Sequence, residues 1–537
     1  MPLTHTGNSN KLTVRLADET SVPSPRDVTA LYVFGADVRD AERCGAAGET
    51  LDTVRRLVNA GDFKGEEGDS LFVNAQMSGG ARRLLLVGTG AREDDADGDK
   101  QQDDTRALRR AAAASVRGAR EAKAQRVFFP LPACRDATLT ARAVSEGAHL
   151  GVYANDFYQS ADDEDSTSEL DAGSTIEFFI VAGEQDGETR ARLTKEIERG
   201  RIVAESANWA RALADEPGAS LPPREFARRA AEMAAEFGLK VETLDAAQIR
   251  ARGMGGLWGV GQGSDEPPAL IVLRYEPEAA GEAVADSREG KSADGDGGGE
   301  LFAFVGKGIT FDTGGISIKP AKGMEEMKSD MAGGAAALGA LRAIAQLKPR
   351  ARVISIVPTA ENMPSGKSIK PGDVIRTFAG YTIEVVDTDA EGRLVLVDGI
   401  AYARELGATR IVDLATLTGS IIVALGDHRA GLFSNDDEWA AAVSCAAERS
   451  GEPVWRMPVS DDYKKKIESD IADFKNYGGR PDATGAALLL SKFAGATPWA
   501  HLDIAATAWL EEPTSYSPAG ATGTGVRTLV ELVCGDS

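Results

Sequence analysis

Seven residues, Asp387-Thr388-Asp389-Ala390-Glu391-Gly392-Arg393, place three carboxylates and a guanidinium directly behind the apolar run Tyr381-Thr382-Ile383-Glu384-Val385-Val386. No other stretch constrains the fold as strongly. The run reads as a strand feeding an acidic cluster, and in extended chain residues two apart face the same way, so Asp387, Asp389 and Glu391 would converge. Converging carboxylates raise one another's pKa unless a cation stands between them. The motif therefore predicts a divalent-metal site in preference to a solvated acidic turn.

A second dense patch lies upstream. Leu301-Phe302-Ala303-Phe304-Val305 reads as a buried strand, and the glycine-rich segment Gly306-Lys307-Gly308-Ile309-Thr310-Phe311-Asp312-Thr313-Gly314-Gly315 follows it. Lys307, Asp312, Lys319 and Asp330 thus gather in a weakly periodic region at a strand end, where α/β proteins form ligand crevices. The small-residue run Gly333 to Ala340 reads as a closely packed helix. Gly306-Lys307-Gly308 lacks the spacing of a phosphate loop, and Gly259-Val260-Gly261-Gln262-Gly263 lacks that of a dinucleotide fingerprint. Metal-dependent phosphoryl transfer is the second reading of the acids and lysines, and it wants a phosphate cradle. Carboxylate ligands without cysteine or clustered histidine suit Mg²⁺ or Mn²⁺ and admit Zn²⁺. The histidines are His5, His149, His428 and His501; none forms His-Glu-x-x-His, and no Gly-x-Ser-x-Gly elbow exists. His501, within the strand pattern Trp499 to Ala505, is expected to be a hydrogen-bonded core histidine.

At 537 residues the chain exceeds one ordinary core, so at least two domains are expected. Strands at Val28–Phe34, Arg83–Val87, Arg126–Pro130 and Ile176–Ala182 alternate with an alanine- and arginine-rich helix at 104–124, which predicts a smaller α/β domain over residues 1–190. A helical linker over 191–214 and a larger α/β domain over 215–537, its central mixed sheet flanked by helices, complete the expected architecture. Residues 278–300 are acidic and glycine-rich and read as a surface insertion, and Asp162-Asp163-Glu164-Asp165 reads as a solvated charge run. The net charge of -23 disfavours nucleic acid as a partner, because phosphate binding needs a basic surface. Cys44, Cys134, Cys445 and Cys534 are too scattered for a zinc knuckle or a redox pair. No apolar run reaches membrane length and the N-terminus shows no signal pattern, so a cytoplasmic protein is expected.

The stretch Asp387 to Leu394 resembles the leucyl (cytosol) aminopeptidase signature Asn-Thr-Asp-Ala-Glu-Gly-Arg-Leu, with Asp387 in place of the Asn. Val305 to Met331, Thr359 to Gly366, Asp413 to Gly419 and His501 to Trp509 are similar to further collinear segments of that family, and the similarity covers about residues 195–537. The resemblance implies a metal-dependent aminopeptidase with two bridged divalent ions, Zn²⁺ or Mn²⁺, with Mg²⁺ or Co²⁺ also admitted. Lys307, Asp312, Asp330 and Glu391 would hold one ion, and Asp312, Asp389 and Glu391 the other. Lys307 would have to be neutral to donate its lone pair. Lys319 would polarise the scissile carbonyl, and Arg393 would hold a bicarbonate that takes the proton of the attacking water. The substrate would be a peptide with a free N-terminus, its apolar first side chain received by Met327, Thr416, Leu417, Gly419, Ala505 and Ala508. A homohexamer is implied as well. Two departures stand out: Asp387 for Asn, expected to be a bystander, and Ala506 where the family often has Gly.

Overall fold

The computed structural model describes residues 12–18, 21, 23–33, 48–78, 80–90, 105–132, 136–159, 175–277 and 300–535. His5, Cys44, Cys134, Asp162 to Asp165 and positions 278–299 of the acidic insertion lie outside the described residues. The chain divides into two compact units, residues 1–208 with 511–520, and residues 209–510 with 521–537.

The first unit carries a six-stranded sheet. Its strands are β1 (Leu12–Leu16), β2 (Val28–Val33), β3 (Ser70–Met77), β4 (Gly80–Gly88), β5 (Arg126–Pro130) and β6 (Ile176–Val181), in spatial order β1-β6-β5-β2-β4-β3. All neighbours are parallel except the hairpin β3–β4. Helices α1 (Gly48–Ala60), α2 (Thr105–Glu121) and α3 (Ala137–Gly151) supply the expected alternation. Gly147 lets α3 approach α2 closely: a Cβ there would stand 2.0 Å from the Arg109 carbonyl oxygen. Buried Arg109 and Glu146 pair across this contact at 2.7 Å. The long helix α4 (Gly187–Asp215) begins before the predicted 191, and the division between the units falls within it.

The second unit is built on a nine-stranded mixed sheet. It comprises β7 (Lys240–Leu244), β8 (Ala269–Tyr275), β9 (Leu301–Gly306), β10 (Gly308–Asp312), β11 (Arg352–Asn362), β14 (Arg410–Ala415), β15 (Ala430–Ser434), β16 (Val454–Arg456) and β18 (Trp499–Asp503). The strand order is β16-β15-β18-β14-β9-β11-β8-β7, with β10 paired to the end of β11. The central run β18-β14-β9-β11 is parallel, and antiparallel pairings join β15 and β8 to its two sides. A small sheet of β12 (Val374–Arg376), β13 (Thr382–Glu384) and β17 (Phe474–Lys475) lies apart from it.

Side-chain alternation along β9 covers the two faces of the large sheet differently. Leu301, Ala303 and Val305 share a core cluster with Leu394 to Ala403 of helix α7 (Gly392–Glu405), Leu257 of α5 (Gly255–Gly261) and Leu488 to Leu490 of α9 (Asp482–Ala494). The opposite face meets α6 (Ala332–Leu347) and α8 (Asp437–Ser450), and α10 (Val526–Cys534) packs on these two helices. There the small-residue run of α6 lies almost on the strands: a Cβ on Gly306 would stand 2.4 Å from the Gly333 oxygen. One expectation fails. Only Thr382–Glu384 of the run 381–386 is strand, and the chain turns at Thr388 and Asp389, so the acids do not lie in extended chain. The Val386 and Asp387 amides donate to the Asn476 side chain instead of to a neighbouring strand.

Asp398, on α7, is fully buried without a cationic partner. Its carboxylate accepts backbone N–H groups from Leu257 at 2.9 Å and Phe378 at 2.8 Å, which ties α7 to the start of α5 and to the loop after β12. Burial pushes this carboxyl up to about 7 against those donors. A raised folded-state pKa means the group's stabilising contribution is complete below the unfolded carboxyl range, near 4, and is lost as pH rises through about 7. The thermal midpoint of the second unit is expected to fall between about pH 5 and pH 8, with the Asp398→Asn variant showing a shallower fall. Parallel slopes for the two proteins would refute the assignment. Asp398→Ala, which orphans the buried amides, is expected to lose roughly 2–5 kcal/mol in chemical unfolding.

Candidate metal centre

Lys307, Asp312, Asn362 and Thr416 stand at the carboxyl ends of parallel strands of the large sheet, whereas Asp389 and Glu391 follow β13 of the small sheet. Lys307 bridges β9 and β10, its amide donating to Leu414 O at 3.0 Å and its carbonyl accepting from the Gly334 amide at 2.7 Å. Asp312 ends β10 and Asn362 ends β11. The chain then turns at Gly314, whose φ of +85° is open to glycine and whose amide donates to Asp312 Oδ1 at 2.8 Å. Asp330 closes the short helical turn Met324–Ser329 ahead of α6, and Glu391 immediately precedes α7.

These residues converge. Lys307 Nζ lies 2.8 Å from both Asp330 Oδ1 and Glu391 Oε1, and donates to Thr416 O at 3.1 Å. Lys319 Nζ lies 2.9 Å from Asp312 Oδ2 and 2.5 Å from Asp389 Oδ1. Ligand oxygens of buried Asp312, Asp330 and Glu391 come within 4.8 Å of one another. Burial, followed by the neighbouring Asp312 charge, pushes the Glu391 carboxyl upward; burial also raises Asp330, although Lys307 opposes it. Burial raises Asp389 too. Burial alone would depress both lysines, but the surrounding carboxylates outweigh it and hold each ammonium above the ordinary lysine range. Four carboxyls face two ammoniums, so the cluster is short of positive charge. Asp330 Oδ2 and Glu391 Oε2 are buried without a hydrogen-bond partner, which is what a cation would satisfy. The donor set fits divalent metal.

Arg393 stands apart from this ring. It donates to Asn476 O at 2.7 Å and pairs with Asp482 at 3.0 Å, leaving Nε buried and unpartnered. Thr416 joins the centre, its hydroxyl donating to Asp330 Oδ1 at 2.7 Å. Leu417 sits over Gly392, where an added Cβ would lie 2.6 Å from Lys307 Cε and 2.9 Å from Leu417 Cδ1. Met327 lies in the turn before Asp330, which donates its amide to the Met327 carbonyl at 3.3 Å. The Ala505 amide reaches Asp503 at 3.3 Å, and Gly419 opens an exposed short helix.

Three supporting residues escaped sequence reading. Thr388 accepts the Ser317 amide at 2.8 Å, donates its hydroxyl to Gly314 O at 2.7 Å, and so fixes the loop that carries Lys319. Asn362 donates to Asp312 Oδ1 at 2.8 Å and to Thr388 O at 3.0 Å, joining both halves of the centre. Asn476 holds the turn from Val386 to Ala390 through both ends of its amide. Thr388 lies inside the acidic motif and Asn362 inside the Thr359 to Gly366 segment, so position offered a signal for both; Asn476 offered none.

Known proteins resemble this chain in both of its units. Residues 208–530 match the catalytic domain of the cytosol aminopeptidase family and residues 33–162 its N-terminal domain. A probable cytosol aminopeptidase of Acidobacterium capsulatum is 44% identical over 89% of this chain and 89% of its own. One from Nostoc punctiforme is 39% identical over 98% of this chain and 99% of its own. Among solved structures, the bottromycin maturation enzyme BotP in complex with Mn superposes with a TM-score of 0.77 at 33% identity, covering 95% of this chain and 99% of that one. Matched in both domains and along nearly its whole length, the chain belongs to the cytosol aminopeptidase family of metal-dependent aminopeptidases.

Proposed function

We propose that the chain removes an N-terminal leucine, or a similarly apolar residue, from peptides through water activated at a pair of divalent ions. The observation that carries this reading is the convergence of buried Asp312, Asp330 and Glu391 and half-buried Asp389 on two lysines, with carboxylate oxygens left unpartnered. Lys307, Asp312, Asp330 and Glu391 would hold one ion, and Asp312, Asp389 and Glu391 the other. Lys307 is then the ligand that must give up its proton. Mn²⁺ or Zn²⁺ is the expected metal, Mn²⁺ being supported by the manganese complex of BotP. Bound there, the ions supply Lewis-acid activation of water and of the scissile carbonyl, and a bicarbonate at Arg393 supplies a proton acceptor.

The chain's own groups do the rest. Asp312 and Asp389 keep Lys319 charged and aimed, so its ammonium can meet the negative charge that develops on the carbonyl oxygen. Arg393 is fixed by Asn476 and Asp482, and its unpartnered Nε suits a small anion. Thr416, Leu417, Met327, Gly419 and Ala505 would receive the first side chain. A homohexamer and a cytoplasmic address belong to the same reading and rest on the family resemblance.

Metal-loaded protein is expected to hydrolyse leucyl-p-nitroanilide; release of phosphate from a phosphoester with no amidase activity would replace this reading with phosphoryl transfer. Asp389→Ala and Glu391→Ala should abolish turnover with circular dichroism unchanged, and near-normal rates at saturating metal would sink the ligand assignment. Lys319→Ala should lower kcat by about a hundredfold or more at wild-type metal content. Gly392→Ala drives a methyl into Lys307 and Leu417. It should reduce bound metal, measured by elemental analysis, and turnover by roughly a hundredfold; unaltered metal content would show that Lys307 moves aside freely.

A further inference from the structure

Asp503 is the last residue of β18, fully buried and two positions beyond His501. Its Oδ1 accepts the Leu417 amide at 3.2 Å and the Ala505 amide at 3.3 Å, and its Oδ2 accepts the Thr418 hydroxyl at 2.6 Å. One carboxylate therefore holds both the loop leaving β14 and the turn leaving β18. The same loop reaches the metal centre one residue earlier. Thr416 accepts from Lys307 Nζ through its carbonyl and donates to Asp330 through its hydroxyl. Leu417 shares with the Lys307 side chain the space above Gly392. On its other side the loop is held by Ser420, whose hydroxyl donates to Thr418 Oγ1 at 3.3 Å and accepts the Ala483 amide at 2.9 Å, next to the Asp482 that pairs with Arg393.

We propose that Asp503 is a positioning residue of the reaction, setting the backbone of residues 416–418 and hence the wall that meets the peptide's first side chain. This rests on the reading above in which Thr416, Leu417 and Ala505 line that pocket. A carboxylate suits the task because its oxygens accept from several donors at once, whereas an amide would turn one acceptor into a donor facing an N–H or O–H. The wall is thereby fixed from beneath by a group that never touches substrate. Side-chain preference should consequently depend on the Thr418–Asp503 bond, while metal binding, held by other residues, should not.

The test uses full-length, metal-loaded protein and compares kcat/KM for leucyl- and alanyl-p-nitroanilide, with metal content measured on each sample. Thr418→Val removes the hydroxyl and keeps the shape; it is expected to change the leucyl-to-alanyl ratio by about fivefold or more at wild-type metal content. Thr418→Ser keeps the donor and should keep the ratio, and Asp503→Asn should shift the ratio as Thr418→Val does. Unchanged ratios in Thr418→Val, or equal losses on both substrates with metal lost, would overturn the proposal. If Asp503→Asn does not fold, the two Thr418 variants decide. A wild-type protein without leucine preference would defeat the proposed substrate, whereas a preference of any kind left unmoved by Thr418→Val defeats the role of Asp503.

Discussion

Like-charge repulsion among the four carboxylates Asp312, Asp330, Asp389 and Glu391 is the constraint the second unit is organised around. Two unit charges about 4 Å apart interact by roughly 4 kcal/mol at an effective dielectric near 20, and burial adds a desolvation cost to each. Lys307 and Lys319 neutralise part of that charge, each reaching two carboxylates. The remaining deficit must be met by protons or by cations, and the upward displacement of Asp330 and Glu391 expresses the same imbalance. A divalent cation held there would complete electrostatics that the polypeptide cannot complete by itself.

Such a cluster works only if its members cannot swing apart to relieve the repulsion, and backbone hydrogen bonds supply the restraint. Lys307 is held through its own amide and carbonyl between β14 and α6. Asn362 and Thr388 join Asp312, the Gly314 turn and the acidic motif into one unit. Close approach adds to this: glycines at 306 and 333 let α6 lie on the sheet, and Gly392 leaves room for the Lys307 side chain. Small residues around the site are thus as necessary as the charged ones, because a Cβ at 306 or 333 would meet neighbouring backbone and one at 392 would meet the Lys307 side chain.

The two-domain α/β architecture and most site residues were legible because they rest on short patterns: buried strands ending in glycine, acids in a tight cluster, lysines in a glycine-rich segment. The structure gathers Lys307, Asp312, Lys319, Asp330, Asp389 and Glu391 into one cluster, yet the physical premise read from strand alternation fails. The acids converge through a turn held by Asn476, not through alternation along a strand. Strand β10 was unreadable because its five residues interrupt glycine-rich sequence and pair only with the far end of β11. Asn476 and Asp503 were missed for a common reason. Each acts through hydrogen bonds to segments more than eighty residues away in the chain, and nothing in their local sequence announces those partners.

Asp387 shows how a departure from the family signature can be both structurally silent and electrostatically present. Its Oδ1 accepts the Asp389 amide at 2.9 Å, a bond that an asparagine oxygen would make equally well, so the turn does not require the charge. The charge nevertheless reaches the centre: among the influences on Asp389, the Asp387 carboxylate raises its pKa alongside burial and Asp312. Lys319 opposes it from 2.5 Å. The substitution therefore leaves the geometry alone and deepens the negative potential at the more exposed side of the cluster, beside Asp389. An added carboxylate there favours any arrangement that brings more positive charge to Asp389, whether the Lys319 ammonium or a cation.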